Sequence, residues 1–256
     1  MTGRTVVATS NVLCTLGQDD ARAALRVVLD ASPDLVGLQE WSLARNRLLR
    51  ETGEVRMLGH ARLKVRRREP GPADYLWVSP LVGGCPVGFR ADRFELVACH
   101  SRILGWMGRS DLGARTVPVL PPRVATVAVL RDRERTEVVS LVNFHLTPGV
   151  QAKGEYRADR PLLVARHRSE VRNLDRLVAG ELGLGRTVYA VGDSNLDGLR
   201  LTGLTSAWEG RESEPGTFGQ RRKIDDVHGP GPADDVTLLA SPSDHKAVVA
   251  RRTHLA

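Results

Sequence analysis

The sequence predicts a mixed α/β fold built from mixed sheets rather than one doubly wound parallel sheet. Two observations carry this reading: β-branched and apolar runs outnumber helical periodicities, and the strands come both in hairpins and in helix-linked pairs. No window approaches the ~20 apolar residues of a membrane span.

Thr5-Val6-Val7-Ala8-Thr9 is β-branched and reads as the first strand. Ala21, Ala24, Leu25, Val28 and Leu29 recur at helical spacing until Ser32-Pro33 stops them, and the wholly apolar Leu35-Val36-Gly37-Leu38 reads as a strand buried on both faces. From 45 to 80 the chain is polar, proline-punctuated and basic, most densely at 64–68, and no regular element is predicted. Residues 85–90 and 94–97 are expected to form a hairpin across Ala91-Asp92-Arg93. Strands follow at 123–130 and 138–144 around the charged turn 131–136, then a helix over 162–182 with Leu163, Val171, Leu174, Leu177 and Val178 on its apolar side. Gly180, Gly183 and Gly185 read as the stop of that helix. Strands at 188–191, 224–227, 236–239 and 247–250 complete the chain. Pro-Gly-Pro-Ala-Asp occurs at 70–74 and 230–234, too short to be a structural repeat, and no domain boundary is visible, so residues 1–256 are expected to form one domain.

Hydrophobic content of 41% is ample for a core, and 37 Lys+Arg against 30 Asp+Glu give +7, which favours polyanionic partners. Only Lys64, Lys153, Lys223 and Lys246 are lysines, so arginine-biased composition can produce much of that excess. Cys14, Cys85 and Cys99 lie far apart with no Cys-x-x-Cys, which indicates neither a disulfide framework nor structural zinc. Met1-Thr2-Gly3-Arg4 runs into the first strand without a signal-type apolar stretch, so a cytoplasmic, monomeric protein without a membrane span is expected.

Five segments end apolar runs on chemistry-bearing residues: Thr9-Ser10-Asn11, Leu38-Gln39-Glu40, Asn143-Phe144-His145-Leu146, Gly192-Asp193-Ser194-Asn195 and Ser243-Asp244-His245. Singly, each is more often a turn residue. Delivered together to one rim of a sheet, they would make a site suited to metal-dependent phosphoester hydrolysis, which must neutralise phosphoryl oxygens, aim a water and release an alkoxide. Glu40 is the first-choice ligand for Mg²⁺, because an unpaired carboxylate ending a buried strand is costly without a cation. Asn11 can reach the metal or a phosphate oxygen. Asp193 can orient or deprotonate the attacking water, and Asn195 can hold a phosphate oxygen. His145 and His245 can stabilise the transition state, with Asp225 fixing one ring's tautomer. His-Glu-x-x-His, Gly-x-x-x-x-Gly-Lys-Ser/Thr and Gly-x-Ser-x-Gly are absent.

The order of these segments, with Asp34-Leu35-Val36-Gly37-Leu38-Gln39-Glu40, Thr217-Phe218 and Lys223-Ile224-Asp225, resembles the endonuclease/exonuclease/phosphatase superfamily from Asn11 to His245. The resemblance implies a four-layer α/β/β/α sandwich of two packed mixed sheets, and Mg²⁺ or Mn²⁺ held chiefly through Glu40. It implies further that Asn11 and Asn195 are phosphate or metal-shell ligands, Asp193 the water-orienting residue, His145 and His245 the phosphate-contacting pair, Asp225 the partner of His245, Asp244 a neighbour of the metal and Arg123 a phosphate contact. Ser10 and Ser194 stand where the family often has aromatics. Asp226 stands where an aromatic is usual, so Asp225 and Asp226 both remain candidates to pair with histidine, and His145 has no evident acidic partner. The leading expectation is a nuclease acting on nucleic acid, DNA foremost, favoured by the basic runs 64–68 and Arg221-Arg222-Lys223. The alternatives are a phosphatase or phosphodiesterase for a small or lipid substrate, and a non-catalytic binding protein of the same fold, against which the complete polar set argues.

Overall fold

The structure, a computed structural model, describes residues 3–58, 75–111 and 119–254. The basic run at 64–68 and the first Pro-Gly-Pro-Ala-Asp therefore lie outside the described residues.

In chain order, β1 (Gly3–Asn11), α1 (Gln18–Asp30) and β2 (Leu35–Gln39) form the expected opening. A 3-10 turn and α2 (Asn46–Arg50) lead to β3 (Gly53–Leu58) and β4 (Tyr75–Pro80), in the stretch where periodicity was silent. Then come β5 (Val87–Arg90), β6 (Phe94–Gly105), the two-residue strands β7 (Gly108–Arg109) and β8 (Val119–Leu120), the hairpin of β9 (Arg123–Asp132) with β10 (Val138–His145), and the small hairpin β11 (Gln151–Ala152) and β12 (Glu155–Tyr156). The long helix α3 (Pro161–Gly183) precedes β13 (Thr187–Asp193), β14 (Thr205–Ser206), β15 (Asp225–Gly229), β16 (Asp235–Leu239) and β17 (Ala247–His254).

Two mixed sheets result, a seven-stranded one in the order β16-β17-β1-β2-β5-β4-β3 and a six-stranded one in the order β14-β15-β13-β10-β9-β6. Alternation along each strand decides which side chains enter the seam between them. Val7 and Leu35 of the first sheet meet Val139, Leu141, Tyr189 and Val191 of the second in the seam. The intervening residues face outward: Ala8, Val36 and Leu38 pack under α1, while Val142, Phe144, Val188 and Ala190 pack under α3. The layers are thus α/β/β/α. Each fully buried Leu or Val in these faces contributes roughly 1.5–3 kcal/mol. Among the described residues no helix is long and apolar enough to cross a membrane.

The expected hairpin of 85–90 with 94–97 does not form. β5 pairs with β2 and β4, whereas β6 pairs with β9 in the other sheet. The turn between them is a corner from sheet to sheet, pinned by the buried Arg93, whose guanidinium reaches Asp34 at 2.9 Å and Asp132 at 2.7 Å. Local alternation fixes a strand's faces but not its partner, and here a long-range ion pair chooses it.

Candidate active site

Strand direction gathers the candidate residues at one end of the seam. β1 and β2 run parallel with Asn11 opposite Gln39, and β10 and β13 run parallel with His145 opposite Asp193. β15 runs antiparallel to β13 and places Asp225 opposite Asp193. β9, antiparallel to β10, begins with Arg123 at this same end, and β17 begins two residues after His245. The parity that sends Val7, Leu141, Val191 and Val227 into the seam also sends Asn11, His145, Asp193 and Asp225 into its open mouth. Two backbone features shape the rim. Glu40 takes φ +56°, turning the chain sharply after β2, and Gly192 is required because a Cβ there would lie 2.0 Å from the Phe144 carbonyl oxygen.

The side chains form one connected group. The Asn11 amide donates to Asp193 Oδ2 at 2.9 Å and to Glu40 Oε1 at 3.3 Å, and the Cys14 N–H donates to Glu40 Oε2 at 2.9 Å. Asp193 Oδ1 accepts the Asn195 N–H at 2.8 Å, while the Asn195 side chain donates to the Leu146 carbonyl at 3.1 Å. His245 Nδ1–H donates to Asp225 Oδ2 at 2.8 Å, which leaves Nε2 facing Asp193 Oδ2 at 4.0 Å. Arg123 Nη1 donates to His145 Nδ1 at 3.4 Å, so the ring's proton sits on Nε2, 3.5 Å from Asp193 Oδ2. His145 is therefore set by an arginine on one side and by Asp193 on the other, the partners that sequence reading could not assign.

The ambiguity between the two aspartates is resolved by parity. Asp226 faces away from the mouth, accepting Ser206 Oγ–H at 2.6 Å and the Ala207 N–H at 3.1 Å and lying 3.2 Å from His228 Nε2, so Asp225 is the partner of His245. Asp244 is exposed, with its carboxylate 3.4 Å from the Ser243 hydroxyl, and it bears on the group through its charge on His245.

Burial and charge separate the titrations. Burial and the charge of Asp225 push Asp193 up to about 7, against the pull of His245 and of the Asn195 and Asn11 donors. Burial acts to lower His245, but the hydrogen bond and charge of Asp225, with Asp193 and Asp244, outweigh it and hold the ring at about 9. Burial and then the charges of Arg123 and His245 keep His145 neutral, well below the usual histidine range. Burial acts to raise Glu40, yet the Cys14 N–H and thiol, the Asn11 amide and the charge of His245 hold it below the ordinary carboxylate range. Near neutral pH the mouth thus holds an ionised Glu40, an Asp193 raised far above the ordinary carboxylate range, a neutral His145 and a charged His245.

This donor set fits a divalent cation. Glu40 is an ionised oxygen ligand, and Asn11 Oδ1 is a buried acceptor without a hydrogen-bond partner beside it. One carboxylate and one carbonyl-type oxygen suit a hard ion that keeps several waters. Asp193, Asp225 and His245 also bring one ligand atom each within 4.8 Å of one another. A cation there would compete with the 2.8 Å His245–Asp225 hydrogen bond, so the Glu40 side is the better seat.

Several residues that shape the site carried no assigned role in the sequence. Gln39 Nε2 donates to Asn143 Oδ1 at 2.6 Å, and Asn143 Nδ2 donates to the Leu38 and Pro86 carbonyls at 2.7 Å each, tying the two sheets together beneath the mouth. Gly37 makes room for this tie, since a Cβ there would meet Asn143 at 2.8 Å. Phe218 packs on the His245 ring with centroids 4.8 Å apart. Ser194 holds its loop through the Ile224 carbonyl at 2.9 Å, so the absent aromatic is replaced by a backbone clamp. Of the basic run 221–223 expected to favour a phosphate backbone, Lys223 instead donates its ammonium to the Arg211 and Glu212 carbonyls and is not a free phosphate-binding cation.

Comparison of the sequence with models of protein families and with curated proteins finds no match. Solved structures do match. TDP2 from D. rerio, in complex with a single-strand DNA product, aligns over 99% of this chain and 100% of its own at 16% identity and a TM-score of 0.66. The chain has the fold of the endonuclease/exonuclease/phosphatase superfamily. A protein of that superfamily from Bacteroides thetaiotaomicron aligns over 99% of this chain and 96% of its own at 17% identity and TM-score 0.66. A mannosyl-6-phosphatase from the same organism aligns over 98% and 100% at 17% identity and TM-score 0.64. The superfamily fold therefore accommodates the whole described chain, with two large mixed sheets as expected.

Proposed function

We propose that the protein is a divalent-metal-dependent phosphodiesterase that hydrolyses nucleic-acid phosphodiester bonds, DNA foremost, by in-line attack of an activated water. The observation that carries this is the single hydrogen-bonded group joining Glu40 and Asn11 on one side of the mouth to Asp193, His145 and His245 on the other. Mg²⁺ or Mn²⁺ held by Glu40 and Asn11 would neutralise non-bridging phosphoryl oxygens and ease departure of the leaving oxygen. Asp193, poised at about 7, accepts a proton from the attacking water in its ionised form. The charged His245 and the neutral His145 both turn Nε2–H toward Asp193 Oδ2, so a phosphoryl group seated beside Asp193 would meet both donors as charge grows on its oxygens. Arg123, with a buried Nε lacking a hydrogen-bond partner, adds a cation. Asp225 keeps His245 protonated and oriented, and Asn195 locks the Asp193 loop.

The +7 net charge supports an extended polyanion as substrate. A phosphatase or phosphodiesterase for a small or lipid phosphoester is the second reading, favoured by the withdrawal of Lys223 from the surface and by the likeness to the mannosyl-6-phosphatase. None of the three cysteines forms a disulfide, which supports a reducing, cytoplasmic setting. A panel of plasmid, abasic duplex, single strands, RNA, bis-p-nitrophenyl phosphate and phosphoinositides with Mg²⁺, Mn²⁺ or EDTA tests the proposal. Metal-dependent cleavage of polynucleotide is expected; turnover of small phosphoesters alone would install the second reading, and no turnover of any member would overturn both.

A further inference from the structure

We propose that one turn of α3, through Arg166, His167 and Glu170, is the frame that sets the mutual spacing of Arg123, His145 and Asp193, a reading that rests on the function proposed above. The three side chains reach the backbone flanking each of those residues. Arg166 donates to the Pro121 carbonyl at 2.6 Å, two residues before Arg123. Glu170 accepts the Thr147 N–H and hydroxyl at 2.8 Å each, two residues after His145, and also binds Arg166 Nε at 2.7 Å. His167 Nε2–H donates to the Ser194 carbonyl at 2.7 Å, immediately after Asp193, and its Nδ1 accepts the Tyr156 hydroxyl at 3.1 Å, which fixes the tautomer.

These contacts are specific in a way that plain packing is not. His167 and Glu170 are wholly buried on the stripe that otherwise carries Leu163, Leu174 and Val178, where an apolar side chain would avoid the desolvation of a carboxylate. Apart from Tyr156 and Arg166, their partners are the Ser194 carbonyl and Thr147 rather than Arg123, His145 or Asp193 themselves, so they act through the site residues as positioning residues. Gly105, paired with Arg123 across β6 and β9, leaves the space the carboxylate needs, since a Cβ there would lie 2.5 Å from Glu170 Oε1. The charge of Glu170 is also the largest influence opposing the desolvation of Arg123. Three rim strands are thereby referred to one rigid helix, and misplacement on the order of 1 Å is enough to cost about 10²-fold in rate.

Glu170→Gln and His167→Gln test this by melting temperature, by kcat and KM on bis-p-nitrophenyl phosphate, and by the ring ¹H–¹⁵N resonances of His145 in the metal-free protein. At temperatures where circular dichroism shows a folded protein, kcat is expected to fall about 10- to 100-fold with KM within about twofold, the His145 resonances to move, and the loss from Glu170→Gln to be smaller in a His145→Ala background than in the unmodified protein. An unchanged kcat beside a lowered melting temperature, unmoved His145 resonances, or losses that multiply in the double variant would overturn the frame. Should Glu170→Gln fail to fold, Thr147→Val is expected to lose kcat and Thr147→Ser to keep it, and equal kcat in the two would overturn it likewise. If the unmodified protein hydrolyses no phosphoester, the functional reading fails on its own, and the His145 resonances still decide the frame.

Discussion

Replacing Asp225 with Asn tests the electrostatic core of the site, because Asn keeps an acceptor for His245 Nδ1–H while removing the charge. His245 stands at about 9 against an ordinary 6.5, with the ring only 7% exposed. That shift corresponds to roughly 3 kcal/mol of preference for the protonated ring. Since the folded value is the raised one, this stabilisation is complete below pH 6.5, fades as pH rises and is gone above about 9. In Asp225→Asn, burial opposes the charge with only Asp193 and Asp244 against it, so His245 is expected to titrate at or below 6.5. At pH 8 the ring would be ~90% charged in the native protein and ~3% or less in the variant. An NMR titration of the histidine rings in EDTA reads this directly. The kcat–pH profile on bis-p-nitrophenyl phosphate should show an acid limb near 7 from Asp193 and an alkaline limb near 9 that moves down by about 2.5 units or more in the variant. Titration of His245 near 6.5 in the native protein, or an alkaline limb indifferent to the substitution, would refute the reasoning.

Other substitutions probe separate parts of the site. Glu40→Gln should cut turnover strongly and raise the metal concentration needed, and full activity of the native enzyme in EDTA would contradict a metal at Glu40. Asp193→Asn and His245→Ala should each lower kcat by on the order of 10²-fold or more, and a change confined to KM would show that the residue serves capture instead. Asn143→Leu takes the cross-sheet partner from Gln39 Nε2, which keeps Thr9 Oγ1 at 3.0 Å, from the Pro86 carbonyl, which keeps the Leu38 N–H at 3.1 Å, and from the Leu38 carbonyl; it should cost roughly 1–3 kcal/mol, read as a fall in denaturation midpoint, and an unchanged midpoint would show that the tie is dispensable. Lys64, Arg66, Arg67 and Arg68 replaced together by Ser should flatten the salt dependence of DNA binding while cleavage of a small diester persists; native affinity and slope in that variant would favour the small-substrate reading.

How much was legible follows from the kind of information each feature needs. Alternation and periodicity along β1, α1, β2, β9, β10, α3 and β13 are local, and they placed these elements to within a few residues. The clustering of the candidate residues was legible for the same reason: they sit at strand ends, so the runs that announced strands also announced Asn11, Glu40, His145, Asp193 and Asp225. The stretch leading into β3 and β4 carried no such period. The polar residues on α3 were readable in principle, since 163, 167, 170, 174 and 178 keep one helical stripe and a buried His and Glu within it are conspicuous.

What only the tertiary structure decided was pairing across distance. Whether β5 continues into β6 or parts from it depends on Arg93 meeting Asp34 and Asp132 from different sheets. Which aspartate serves His245 depends on the parity of β15 relative to the seam, and which proton His145 carries depends on an arginine 22 residues away. The sequence by itself determined the residue types, their order and the faces of their strands, because those follow from local geometry. Their ionisation and mutual orientation came from burial in the seam, where desolvation and neighbouring charges from distant strands act together, and no one-dimensional pattern encodes those neighbours.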